Sequence, residues 1–152
     1  MFNLAMQVFL LVSKAMLRFF WAYLVYTWGG LHRYFGNVNA MRSEHERAVH
    51  YFAKAYEIDP TWRRVRYERA VLLGRELGQY EEALTEFTAL LEEDEAFGLA
   101  LFNRAMVYQD LARYEEAETD LTHYLTLPET AENQKYRPEA ERLLRLIKSL
   151  HE

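Results

Sequence analysis

The sequence predicts an all-α fold of helical hairpins stacked side by side, and three observations lead to it. A seven-residue segment recurs 34 positions later: Leu77-Gly78-Gln79-Tyr80-Glu81-Glu82-Ala83 returns as Leu111-Ala112-Arg113-Tyr114-Glu115-Glu116-Ala117. Ala, Leu, Glu, Arg and Tyr dominate, with three prolines and six glycines in 152 residues, and most of these side chains keep their rotamer freedom in a helix. Alternation of β-branched and polar residues, the mark of a strand, is missing. Half of the residues are apolar, which supports a real core at this length.

Residues 3–28 read as one apolar helix closed by Gly29-Gly30. Asn3, Gln7, Lys14 and Arg18 fall within about 60° of one another at 100° per residue. They form a narrow polar stripe on an otherwise apolar cylinder, a candidate contact face. Twenty-six residues at 1.5 Å each span roughly 39 Å, enough for a hydrocarbon core of ~30 Å with some tilt. Phe19, Phe20, Trp21, Tyr23, Tyr26 and Trp28 crowd one end, as in an interfacial aromatic belt, and Arg33 and Arg42 follow as a cytoplasmic flank. Lys14 and Arg18 weigh against spanning, because a charge near the bilayer centre costs roughly 2.5–3.5 kcal/mol unless it is partnered or snorkels. A helix lying in the membrane surface, or one buried against protein, competes with the spanning anchor. The stretch lacks the basic start and small-residue cleavage site of a secretory signal.

Downstream, Arg69-Ala70 and Arg104-Ala105 recur at an offset of 35, which places one extra residue in the earlier copy. A third copy lies upstream, where Ala48, Phe52, Ala55 and Pro60 keep the spacing of the late half-unit and Gly36 stands 12 before Ala48, as Ala105 does before Ala117. These residues resemble the tetratricopeptide repeat (TPR) family, whose 34-residue helix–turn–helix carries small residues at positions 8 and 20 and an aromatic at 17. The resemblance implies an α-α superhelix of three repeats at 29–62, 63–97 and 98–131, after an N-terminal helix at 1–28. In the first repeat His45 holds the aromatic position. One such unit cannot bury its apolar face alone, so neighbours must stack and the end must be capped. The cap is expected within 132–152, where Pro138-Glu139-Ala140 opens a helix with Leu143, Leu144, Ile147 and Leu150 on one face. The polar segment from Leu127 to Arg137 reads as a loop.

Charge and residue chemistry narrow the function classes. Residues 1–43 hold four basic and no acidic side chains, while the remainder holds 14 basic against 23 acidic. An acid-free apolar head on an acidic body suits a membrane and argues against nucleic acid, which needs clustered cations. There is no cysteine, hence no disulfide and no thiolate. His45 and His50 are five apart, about 140° on a helix, so they share no metal easily. The three serines assemble no nucleophile–base–carboxylate set, and the run Glu92-Glu93-Asp94-Glu95 lacks the alternating ligands and glycine of a calcium loop. No catalytic residue, metal site or cofactor is expected.

The resemblance also implies where a partner binds, since the first helices of TPR units line the concave face. Carried over by position, the first repeat offers Arg33, Asn37, Ala40 and Met41, the second Arg64, Tyr67 and Val71, and the third Leu99, Phe102, Met106, Gln109 and Asp110. Arg33 and Asn37 resemble the opening half of a carboxylate clamp, but Glu68, Leu99 and Asn103 depart from the rest of it. What remains is an apolar strip with a basic edge at Arg33 and Arg64, suited to an amphipathic helix or an extended peptide with aliphatic anchors. The expected function is a non-enzymatic protein-binding scaffold, membrane-anchored with its repeats on the cytoplasmic side, that helps a membrane complex assemble or persist. The layout is similar to photosystem-assembly TPR proteins and to other bacterial membrane-tethered ones. Two alternatives are a soluble self-associating protein whose N-terminal helix fills its own or a partner's groove, and an accessory subunit of a membrane enzyme.

Overall fold

The computed structural model describes residues 2–150, apart from the side chains of residues 2–5 and Glu132. Asn3, one of the four stripe residues, therefore has its side chain outside the described set. The described residues are helical between short turns, with no strand among them. The chain divides into two units, 1–72 and 73–152.

The first unit holds α1 (Phe2–Asn39), α2 (Arg42–Ile58) and most of α3 (Arg63–Arg75). One expectation is corrected here: α1 does not end at Gly29-Gly30 but runs through both to Asn39. The glycines serve packing instead. Ala22, Gly29 and Gly36 recur every seventh residue, and all three are buried. A Cβ on Gly29 would stand 2.8 Å from the Phe52 ring, and one on Gly36 would overlap the ring of His45. The small stripe lets α2 close against α1, and that burial offsets the roughly 1 kcal/mol of helix propensity each glycine forfeits.

Ala48, Phe52, Ala55, Val65 and Leu72 form the core of this unit, with Val25, Tyr26 and Trp62 against it. Trp62 stacks with Tyr23 at a centroid distance of 6.1 Å and meets the tilted rings of Phe19 and Tyr26 at 5.5 and 4.7 Å. Beside them Arg18 reaches Asp59 across 3.5 Å. Asp59 is buried and also accepts from the Thr61 hydroxyl at 2.7 Å. So the body of the unit meets α1 from Arg18 onward. Ahead of that point Met6, Phe9, Leu11 and Leu17 are all exposed.

The second unit holds the end of α3, then α4 (Tyr80–Glu93), α5 (Gly98–Asp110), α6 (Tyr114–Thr126), α7 (Ala131–Gln134) and α8 (Arg137–Ser149). The extra residue of the earlier repeat copy lies in a turn: four residues join α3 to α4 at 76–79, and three join α5 to α6 at 111–113. Helix α5 is the centre, packed on α4 and α6; Leu101, Ala105 and Val107 are buried on it, as are Phe87 and Leu90 on α4 and Leu121 and Tyr124 on α6. Arg104 ties three helices together, donating to both carboxylate oxygens of Asp120 at 2.7 Å and to the Thr88 hydroxyl at 3.1 Å. Donating these hydrogen bonds to Asp120 raises the Arg104 pKa above its ordinary value.

The segment expected as a loop after Leu127 contains α7, a second correction. Thr130 and Asn133 cap that turn reciprocally, and Asn133 also donates to the Pro128 carbonyl at 2.8 Å. Arg137 then donates to the carbonyls of Leu125 and Leu127, at 2.8 and 3.2 Å, closing the open end of α6. In α8, Ala140, Leu143 and Ile147 are buried, whereas Leu150 falls past the helix end and is exposed.

Candidate protein-binding surfaces

Each unit carries part of the expected binding strip. In the first, Glu68 stands at the centre and is only 8 % exposed. Its carboxylate accepts from Arg33 Nη1 at 2.6 Å, Arg64 Nε at 3.1 Å and the Tyr26 hydroxyl at 3.1 Å. A buried carboxylate of the same chain thus holds both guanidinium groups of the expected basic edge, with Arg33 half-buried and Arg64 still exposed. The reason is electrostatic, since a carboxylate this far from water must be matched by cations and donors. The resemblance could not reveal this, because Glu68 registers there only as a departure from an expected asparagine.

Asn37 is likewise engaged, its Oδ1 2.9 Å from Nε2 of the buried His45. His45 fills the aromatic position between α1 and α2, with its ring over Gly36. Tyr67 is buried beneath the Arg64 guanidinium at 5.4 Å, Val71 is half-buried, and Met41 is exposed where α2 begins. Arg18, assigned to the stripe, finds Asp59 within its own chain, while Gln7 and Lys14 remain exposed.

A polar cluster on the same unit escaped sequence reading. His32 Nδ1 lies 2.7 Å from Glu44 Oε2, Arg47 donates to Glu44 Oε1 at 2.8 Å, and Tyr51 stacks on His32 at 5.2 Å. The His32 hydrogen bond holds the Glu44 carboxyl below the usual carboxylate range, with Arg47 adding to it. Its sequence signals were local spacings within single helices, four residues from Trp28 to His32 and three from Glu44 to Arg47.

In the second unit a cavity of about 400 Å³ opens between the end of α3, α5 and the start of α8. Phe102, Met106, Val107 and Tyr136 form its apolar wall, and Arg75, Asn103, Asp110 and Glu139 stand around it. Phe102 is nearly covered, stacked on Tyr136 at 5.1 Å with the tilted ring of Tyr124 at 5.7 Å. Met106 is half-buried and Glu139 is engaged by Arg142 at 3.1 Å. Gln109 is half-buried and does not line this cavity, and Leu99 is core. Tyr136, whose ring completes the wall, was missed because its segment read as a loop. Among the described residues no three His, Asp or Glu side chains are grouped to hold a metal ion.

The tetratricopeptide repeat family model matches residues 99–130. No curated protein matches the chain in sequence. Among solved structures, the first TPR of Spaghetti (RPAP3) bound to the HSP90 peptide SRMEEVD aligns at a TM-score of 0.63 and 20 % identity, over 82 % of this chain and 93 % of that one. The Arabidopsis OM64 TPR domain aligns at 0.58 and 23 %, over 80 % and 97 %. The first TPR domain of human RPAP3 aligns at 0.57 and 18 %, over 82 % and 98 %.

Proposed function

From a chain that carries a tetratricopeptide repeat and folds as TPR domains fold, we propose a non-enzymatic protein-binding scaffold held at a membrane by its first helix, assisting the assembly or stability of a membrane complex. The observation that carries the membrane half is the exposure of α1 ahead of Arg18, apolar around nearly its whole circumference. The lipid boundary in this reading lies near Arg18, where Asp59 supplies a counter-charge. Lys14, one helical turn further in, then reaches the headgroups by snorkelling, which lowers the cost of burying it. Phe19, Tyr23 and Trp62 sit at headgroup level, with the repeats on the cytoplasmic side.

The binding half is supported by the cavity walled by Phe102, Met106 and Tyr136. Apolar walls with polar groups at the rim accept an aliphatic or aromatic anchor from a partner's helix or extended segment. Two measurements test the two halves separately. Carbonate extraction of native membranes is expected to leave the chain in the pellet, and its release would end the anchoring claim. Met106→Glu is expected to weaken capture of the membrane partner at least tenfold in mild detergent with the fold intact by circular dichroism; undiminished capture would remove the cavity as the binding site.

A further inference from the structure

Helix α1 carries leucine at four successive seventh positions: Leu10, Leu17, Leu24 and Leu31. Between and beyond them Trp21, Trp28, Phe35 and Val38 complete an unbroken alternation of three- and four-residue steps from Leu17 to Val38. All eight side chains are between 42 and 74 % exposed. This seam lies about 130° around the helix from the Ala22–Gly29–Gly36 stripe that α2 covers. α1 therefore has two heptad faces, one occupied and one open.

We propose that the open face pairs with the same face of a second copy of this chain, as a parallel coiled coil along α1. Three arguments select that occupant. First, the portion from Leu24 to Val38 belongs to the stretch flanked by α2, beyond the headgroup level assigned to Phe19 and Tyr23, so an inserted anchor leaves it in water. Second, a 3.5-residue period makes a helix face self-complementary: leucine at d and bulky apolar residues at a meet their own equivalents across a two-fold axis. Third, the exposed parts of these eight side chains amount to roughly 900 Å² per chain, about 700 Å² of it from the six that follow Arg18, against ~800 Å² per partner in a stable interface. The a positions upstream are Lys14 and Gln7. Polar residues at a few a positions fix register and partner number at some cost in stability, so two of the four expected stripe residues, Gln7 and Lys14, fall on the seam.

The absence of cysteine makes the test direct. Single variants Leu17→Cys, Leu24→Cys and Leu31→Cys mark the seam; Met16→Cys and Val12→Cys mark exposed positions about 130° and 170° away from it. Each full-length variant is oxidised in mild detergent and in phosphatidylcholine vesicles. Disulfide-linked dimers are expected from all three seam variants at ten or more times the yield of the two controls. Light scattering on the wild-type chain is expected to give a dimer mass. Equal yields at all five positions, cross-linking at only one seam position as an antiparallel pair would give, or a monomer mass with no cross-link overturns the proposal. A monomer in which Trp28 fluorescence, isolated by Trp21→Phe and Trp62→Phe, is quenched by brominated lipid assigns the seam to the membrane surface and overturns it as well. Release on carbonate extraction with the seam pattern retained removes the anchor and leaves the pairing standing.

Discussion

Ala40, Gly78 and Ala112 sit in the turns that join successive helices, at φ of 50°, 65° and 56°. The left-handed conformation suits glycine and costs an L side chain about 1–2 kcal/mol. Replacing Ala112 by glycine removes that cost and gives back part of it as unfolded-state freedom, so Ala112→Gly is expected to stabilise by about 0.5–1 kcal/mol in urea denaturation. A loss of stability would show that the turn tolerates Cβ without strain. Glu68 shows what a single buried charge decides at this scale. It converts two arginines that position alone would assign to ligand binding into the partners of an internal carboxylate.

Between elements, the α1–α2 contact rests on small residues meeting large ones. Gly36→Ala gains helix propensity yet drives its Cβ into the ring of buried His45, and is expected to lower stability by about 1–3 kcal/mol. Gly30→Ala meets nothing within 4 Å and is expected to raise it by about 0.5–1 kcal/mol. Thermal midpoints shifting in opposite directions would check both; a shared sign would refute the packing role of Gly36. The same helix pair carries a pH dependence through Glu44, whose folded pKa is depressed by His32 and Arg47. A depressed carboxylate contributes stability that is complete above its ordinary pKa of 4.5 and is lost as pH falls through the lowered folded value. The stability gap between wild type and Glu44→Gln is therefore expected to narrow below pH 4.5 in urea titrations. A gap constant across that range would mean that the carboxylate gains nothing on folding.

At the scale of the whole molecule, the solved TPR that aligns here holds an acidic HSP90 peptide, and this chain is expected not to. Arg33 is already bound by Glu68, and Leu99 and Asn103 supply no cations. Titration calorimetry with SRMEEVD is expected to show no saturable binding up to about 1 mM, weaker than −4.1 kcal/mol. A micromolar Kd would mean that the peptide displaces Glu68 from Arg33.

Much of the architecture was legible because repeat spacing is a one-dimensional signal. Leu77–Ala83 and Leu111–Ala117 recur in the chain itself, and the size alternation that stacks helices is written into the same positions. Chain punctuation was less reliable. Gly29-Gly30 reads as a helix end until α2 is in place, because only the neighbour's rings give the missing Cβ atoms a purpose. Thr130 and Asn133 make a helical turn that composition disguises as a loop.

The sequence by itself determined the helical class, the repeat period, the apolar first helix and the heptad of leucines upon it, since each is a matter of spacing along the chain. The tertiary structure alone decided which charges are spent internally, Glu68 on Arg33 and Arg64, Asp59 on Arg18, Asp120 on Arg104. It decided also which face of α1 is covered and which is open. Both depend on residues far apart in sequence arriving at one place, where burial sets the energy of a charge and where only a neighbour's position tells a packed face from a free one.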